Sequence, residues 1–206
     1  MSTIIFDFDG TIADSFDYVA DFLAHEAGIN QLTEYQRDEL RHMSMRGMVR
    51  HLQYPAWKLP VLYFKGRRVM SRHIKNIEPF EGIPEVIRKL HAEGHELFIV
   101  TSNSLRNVHE FLHHNDLHTY FLKVVASVSV FGKAGALRSL LEEQKLSIEG
   151  SVYIGDELRD IQAAESIKLK VIAVTWGFAR VVDLEAAKPL AMISNPADLI
   201  KTLEEL

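Results

Sequence analysis

The chain has no cysteine, which excludes disulfides and thiolate metal sites and fits a reducing compartment such as the cytoplasm. No apolar run approaches the ~20 residues needed to cross a bilayer. The N-terminus lacks a basic stretch ahead of an apolar core, because Asp7 and Asp9 interrupt the single candidate, so no signal peptide is expected. Internal repeats and low-complexity segments are absent. So is an excess of positive charge: 28 acidic against 23 basic residues give a net charge of −5, which argues against coating of nucleic acid. These absences predict a soluble cytoplasmic protein with no membrane and no nucleic-acid partner. One local absence runs the other way. From Arg41 to Lys75 there is no Asp or Glu, whereas nine basic residues fall in that stretch.

What is present is a chain of 206 residues, 47% hydrophobic and 25% charged, enough for one large domain or a main domain with an insert. Residues 3–8, rich in β-branched and aromatic side chains and ended by Gly10, read as a buried strand. Further short apolar runs lie at 96–101, 122–126, 151–154 and 170–174. None alternates cleanly, as expected of parallel strands covered on both faces. Helical periodicity appears between them at 107–114, 134–144 and 159–167. Strands alternating with helices predict an α/β fold with a doubly wound, Rossmann-like parallel sheet.

Residues 13–78 carry no strand signal. One helix is expected from Ser15 to Gly28, and another from Thr33, where Thr33-x-x-Gln36 forms a capping box. Pro55 and Pro60 are read as breakers, with a further helix over 62–77. Pro84 marks the start of the next helix. The expected organisation is therefore an α/β catalytic core of residues 1–13 and 79–206, with a helical cap of residues 14–78 inserted after the first strand.

Ligands bind beyond the carboxyl ends of the strands in such sheets. Past the first strand come Asp7, Asp9, Gly10 and Thr11. Past the second come Thr101, Ser102 and Asn103, and the third leads to Gly132-Lys133. After the fourth stand Gly155, Asp156 and Glu157, with Asp160 one turn later. Acidic, hydroxyl and basic side chains thus gather on one edge, while the strands behind them are apolar. Carboxylates are ligands that Mg²⁺ prefers. A carboxylate two residues from another can protonate a leaving oxygen while its neighbour attacks. Thr101, the amides after it and Lys133 offer donors and a fixed positive charge to phosphoryl oxygens. Asp7 and Asp9 could instead be turn carboxylates, but two acids in so apolar a strand are costly without a partner. Asp156 and Asp160 taken singly could be helix N-terminal acids. Gly132-Lys133-Ala134 is not a nucleotide P-loop, since the hydroxyl residue and the preceding glycine are missing. His109 and His113, at helical i, i+4 spacing, have no carboxylate partner in sequence and are assigned no metal. Thr175-Trp176-Gly177-Phe178 either closes the rim of this edge or packs as an aromatic turn.

The segments Asp7-Phe8-Asp9-Gly10-Thr11, Thr101, Lys133 and Gly155-Asp156-x-x-x-Asp160 resemble, in order and spacing, the motifs of the haloacid dehalogenase-like superfamily. The helical insert looks like the cap of its phosphoglycolate phosphatase-like branch. The resemblance implies a Mg²⁺-dependent phosphatase for a small anionic phosphorylated metabolite. It implies Asp7 as the nucleophile that becomes an aspartyl phosphate, and Asp9 as general acid and then base. Mg²⁺ would be held by the Asp7 side chain, the Asp9 carbonyl and Asp156, with Asp160 in support. Gly10, Thr11, Ser102 and Asn103 would line the phosphate. Glu157 stands where many relatives have a hydroxyl residue and could touch metal-bound water. Lys133 lies in Phe-Gly-Lys-Ala-Gly rather than the proline-containing version common in the family. In the acid-free stretch, Arg46-Gly47 is the candidate substrate contact, on the expectation that this glycine lies in a loop that approaches the ligand.

Other readings stay open on the same residues. A phosphonatase or sugar phosphomutase shares the core and differs in the cap. Dehalogenase chemistry does not need Asp9 or the Asp156 cluster. A receiver-like phospho-acceptor has no place for so long an insert after its first strand, and a non-catalytic regulator rests on Glu157 alone.

Overall fold

The computed structural model describes residues 2–41, 43, 45–127 and 132–205, the side chains of Met45, Arg46 and Ala56 excepted. Six parallel strands form one sheet in the order β3-β2-β1-β4-β5-β6. They are β1 (Thr3–Phe6), β2 (Glu96–Thr101), β3 (Phe121–Ala126), β4 (Ser151–Gly155), β5 (Lys170–Val174) and β6 (Ala191–Ile193). Alternate residues of each central strand enter opposite layers. Ile4 and Phe6 pack with Ile87 and Phe111 on one face, whereas Ile5 packs with Leu137 and Ile161 on the other. The helices covering the first face are α5 (Ile83–Ala92), α6 (Leu105–His114) and α10 (Asp198–Glu204); α7 (Lys133–Gln144), α8 (Leu158–Glu165) and α9 (Val181–Ala187) cover the second. Burial on both faces explains why these strands read as apolar runs without alternation.

The strand order reverses at β1, which pairs with β2 on one side and β4 on the other. Connections from β1 lead one way and those from β4 the other, so a crevice opens beyond the carboxyl ends of these two strands. The doubly wound sheet expected from sequence is present. β6, α9 and α10 lie beyond the expected elements, and the three residues of β6 give a strand pattern too short to recognise.

Between β1 and α5 the chain forms four α-helices and no strand among the described residues. They are α1 (Phe16–Glu26), α2 (Glu34–Arg41), α3 (Met45–His51) and α4 (Leu59–His73). The way in and the way out run side by side: Asp14 N donates to Glu78 O and Phe80 N to Ile12 O, each at 2.9 Å. Thr33 and Gln36 exchange the expected capping bonds, Thr33 N to Gln36 Oε1 at 3.0 Å and Gln36 N to Thr33 Oγ1 at 3.2 Å. Pro60 does not break a helix. It sits in the first turn of α4, where a backbone N–H has no intrahelical partner to lose. The helix expected over 62–77 accordingly starts earlier, at Leu59, and ends at His73, before a 3-10 turn at Ile74–Asn76.

Phe8, fully buried just past β1, meets Phe111 of α6 edge to face with ring centroids 5.0 Å apart. This contact backs the turn that carries Asp7 and Asp9. Truncation of Phe111 to Ala is expected to destabilise the fold by about 3–5 kcal/mol, as measured by urea unfolding. A loss within error of zero would show that the site turn does not rest on this layer.

Candidate active site

The turn after β1 begins with Asp7, whose N–H donates to Ile154 O of β4 at 2.8 Å. The chain then winds back on itself, with the amides of Ile12 and Ala13 both donating to Phe8 O. Gly10 holds φ at +80°, a region that side chains with a Cβ resist. A Cβ there would also overlap the Asp156 carboxylate, so glycine is required twice over.

Four segments meet at this point. Lys133, at the start of α7, is buried with 3% of its side chain exposed. Its Nζ donates to Asp7 Oδ2 at 2.7 Å and also to Asp160 Oδ1. Phe8 N donates to the other Asp7 oxygen at 2.8 Å. Asp156 accepts from Thr11 Oγ1 at 2.9 Å and from Phe178 N at 2.8 Å. Asp9 points elsewhere, taking Ser15 Oγ at 2.9 Å and Asn103 Nδ2 at 3.0 Å. Thr101 Oγ1 accepts from Asn103 N at 2.9 Å, which leaves its hydroxyl proton to donate outward.

Asp7, Asp9, Gly10, Thr11, Thr101, Ser102, Asn103, Lys133, Asp156, Glu157 and Asp160 therefore stand together at one sheet edge. Several do different work there from what the sequence suggested. The Thr11 and Asn103 side chains hold acids in place, and the Asn103 amide is taken by Thr101. Of the two amides after Thr101, that of Ser102 is left as a donor. The Glu157 carboxylate faces Arg159, with Arg159 Nε 2.7 Å from Oε2. Gly47 lies inside helix α3, not in a loop, because no breaker interrupts that helix. The Arg46 side chain lies outside the described residues. Three of the nine basic residues of the stretch are matched by acids outside it: Arg41 by Asp17, Lys65 by Glu26 and Lys75 by Glu110.

Sequence reasoning missed three participants. Tyr63 and Arg67, one turn apart on α4, reach the loop after β2: Tyr63 Oη donates to Ser102 O and Arg67 Nη2 to Asn103 O, each at 2.5 Å. Their i, i+4 spacing inside the acid-free stretch was the available signal. Arg159 was the third, an arginine lodged between two motif acids. The rim segment performs both of its suggested roles. Trp176 Nε1 donates to Thr11 O at 3.2 Å while its ring packs near Phe80. Gly177 passes so close to Asp156 that a Cβ there would overlap the carboxylate.

Asp7, Asp156 and Asp160 can each present an oxygen within 4.8 Å of the others, and all three are buried. Burial pushes the Asp7 carboxyl up to about 7 against the pull of Lys133, and Asp160 adds to the rise. Burial, then the charges of Asp160 and Glu157, hold Asp156 well above the usual carboxylate range. Burial also raises Asp9, although Ser15 and Asn103 oppose it. Burial disfavours the Lys133 ammonium, yet Asp160 and Asp7 outweigh it and raise the group above its ordinary value. An all-oxygen donor set with an excess of buried carboxylate suits a hard divalent cation, and the residues present fit one.

The family model for haloacid dehalogenase-like hydrolases matches residues 4–174. A phosphoglycolate phosphatase of Synechococcus elongatus is 32% identical over 209 residues, covering 100% of this chain and 99% of that protein. Pyrophosphatase PpaX of Bacillus cereus is 24% identical, covering 100% of this chain and 98% of that protein. In fold, the chain matches the crystal structure of a predicted phosphatase from Clostridium acetobutylicum with a TM-score of 0.83, at 21% identity and over 100% of this chain and 99% of that one.

The raised carboxyls give a stability signature. An acid whose folded-state pKa lies above its unfolded value binds its proton more tightly in the fold, so stability falls as pH rises between the two. For Asp7 that window runs from 3.8 to about 7; Asp9, Asp156 and Glu157 shift in the same direction. Without divalent metal, Tm is expected to fall from about pH 5 to about pH 8, and Mg²⁺ to raise Tm more at the upper pH. Scanning calorimetry at both pH values, with Mg²⁺ and with chelator, checks this. A Mg²⁺ effect that is absent, or larger at the lower pH, would contradict it.

Proposed function

Because the chain belongs to the haloacid dehalogenase-like hydrolase family, we propose that it hydrolyses a small phosphomonoester through covalent phosphorylation of Asp7. It is a phosphatase of phosphoric monoesters; the intermediate, the metal and the residue roles are this reading's own. The observation that carries it is the buried Asp7 carboxylate, bonded to Lys133 and within reach of Asp156 and Asp160.

One Asp7 oxygen attacks phosphorus and the bond to the ester oxygen breaks. Asp9, whose burial raises its carboxyl above the ordinary range and so favours the protonated form, passes its proton to that leaving oxygen. Water then attacks the phosphorus of the aspartyl phosphate and gives a proton to Asp9, freeing Asp7 and inorganic phosphate. Lys133, the Thr101 hydroxyl and the Ser102 amide donate to the phosphoryl oxygens as charge builds on them. The Asp7 and Asp156 side chains and the Asp9 carbonyl would hold Mg²⁺, with Asp160 in support. When bound, the ion neutralises the crowded carboxylates and the phosphoryl oxygens.

Residues 14–78 act in this reading as a cap on a core of residues 1–13 and 79–206. Tyr63 and Arg67 clasp the cap to the carbonyls of Ser102 and Asn103, beside Asp9. A closed cap excludes water and selects the leaving group. The substrate is a small phosphorylated metabolite, and phosphoglycolate is the first to test, given the relative named for it. The reducing cytoplasm is the proposed location.

Asp7→Asn is expected to lower phosphate release by roughly 10³-fold or more, and chelation of Mg²⁺ to abolish release by the unaltered protein. Both are read by phosphate release from a panel of phosphomonoesters. Turnover persisting in Asp7→Asn would remove Asp7 from the nucleophile's role and with it the covalent route.

A further inference from the structure

We propose that Arg159 is a second cationic ligand of the transferring phosphoryl group, held over the site by Glu157; the inference rests on the phosphatase reading above. Arg159 is the second residue of α8, between Asp156 and Asp160 in sequence. Its Nη2 donates to Glu157 Oε1 at 3.3 Å. Its Nε lies 2.7 Å from Glu157 Oε2, but the N–H is not aligned for a hydrogen bond, and the atom is buried without an acceptor. A plain surface ion pair would leave that N–H in water. Here the guanidinium keeps an unused donor inside the protein, although a quarter of its side chain is open, at 24% exposure against 6% for Glu157.

The neighbourhood tells which way that donor is needed. Asp7, Asp9, Asp156, Glu157 and Asp160 face only two cations among the described residues of the cluster, Lys133 and Arg159. Lys133 has three N–H groups, and two are already bonded to Asp7 and Asp160. It can offer one more, whereas a phosphoryl group brings three oxygens to the site. Arg159 is the other cation at hand, and its planar fork suits phosphate oxygens. Burial works against its charge, but Glu157, Asp160, Asp7 and Asp156 outweigh it and hold the guanidinium charged. The Tyr63 phenol on α4 feels both Arg67 and Arg159, as well as Asp9, so Arg159 lies within electrostatic reach of Asp9 and of the insert. Glu157 then acts through Arg159 as a positioning residue.

The test uses the full chain with Mg²⁺ and the variants Arg159→Ala, Arg159→Lys and Glu157→Gln. The measurements are KM and kcat for para-nitrophenyl phosphate, inhibition by inorganic phosphate, and phosphate binding by calorimetry. Para-nitrophenyl phosphate has no anionic group beyond the phosphoryl, and inorganic phosphate has no leaving group at all, so both report on the phosphoryl contact. Arg159→Ala is expected to weaken phosphate binding and lower kcat/KM roughly tenfold or more. Arg159→Lys should recover part of that loss, because charge returns without the fork. Glu157→Gln should weaken phosphate binding in the same direction by a smaller factor.

Phosphate affinity and kcat/KM within twofold of the unaltered protein in a folded Arg159→Ala would overturn the proposal and leave the pair a structural tie. If Arg159→Ala does not fold, the two volume-preserving variants decide, and unchanged phosphate affinity in both overturns it. Absence of turnover with every ester would sink the phosphatase reading alone. Phosphate binding by the unaltered protein and by Arg159→Ala would still be compared, with equal affinities counting against Arg159.

Discussion

Everything at the site depends on one buried ammonium. Lys133 sits between Asp7 at the end of β1 and Asp160 on α8, so a single cation links three segments far apart in sequence. Without it, Asp7 and Asp160 would face each other across a short gap in a medium that screens charge poorly. Removing one member of such a buried set typically costs about 3–5 kcal/mol, because its partners are left charged and unpaired. The same ammonium bears on the proposed chemistry, since it fixes the orientation of Asp7 and opposes the rise that burial imposes on its carboxyl.

The rest of the geometry comes from how closely the backbone approaches Asp156. Gly10 and Gly177 pass on either side of its carboxylate at distances no Cβ allows. The Phe178 amide and the Thr11 hydroxyl then fix its two oxygens. An acid gripped in this way cannot turn from the cluster to relieve repulsion, which is why burial and its acidic neighbours raise it so far. A protein ordinarily avoids such crowding. Here it is maintained by apolar layers on both faces of β1 and β4, and it leaves the edge short of positive charge, as suits a cation and a donor-hungry phosphoryl group.

In the proposed reading the insert contributes selection and closure, while the core supplies the reacting groups. Three of the nine basic residues in the insert's acid-free stretch, Arg41, Lys65 and Lys75, are tied to acids of α1 and α6, as a solvated helical surface would be. Arg67 and Tyr63 are different: they bond backbone carbonyls in the loop that carries Thr101 and Asn103. Asn103 in turn holds Asp9, so the insert's position is mechanically linked to the proposed acid.

The sequence by itself determined the sheet and the run of helices after β1, and it brought Asp7, Asp9, Asp156 and Asp160, together with Thr101 and Lys133, to one sheet edge. Apolar runs and what stands at their ends are local, and buried strands ending in acids leave few alternatives. What it could not determine was the partner of each side chain. Thr11 and Asn103 proved to hold acids, Gly47 lies in a helix, and Glu157 faces Arg159. The contacts of Tyr63, Arg67 and Arg159 were decided only by tertiary structure. Their roles come from what packs against them across tens of residues of intervening chain, through hydrogen bonds and fields that depend on distance in space and leave no periodic trace in sequence.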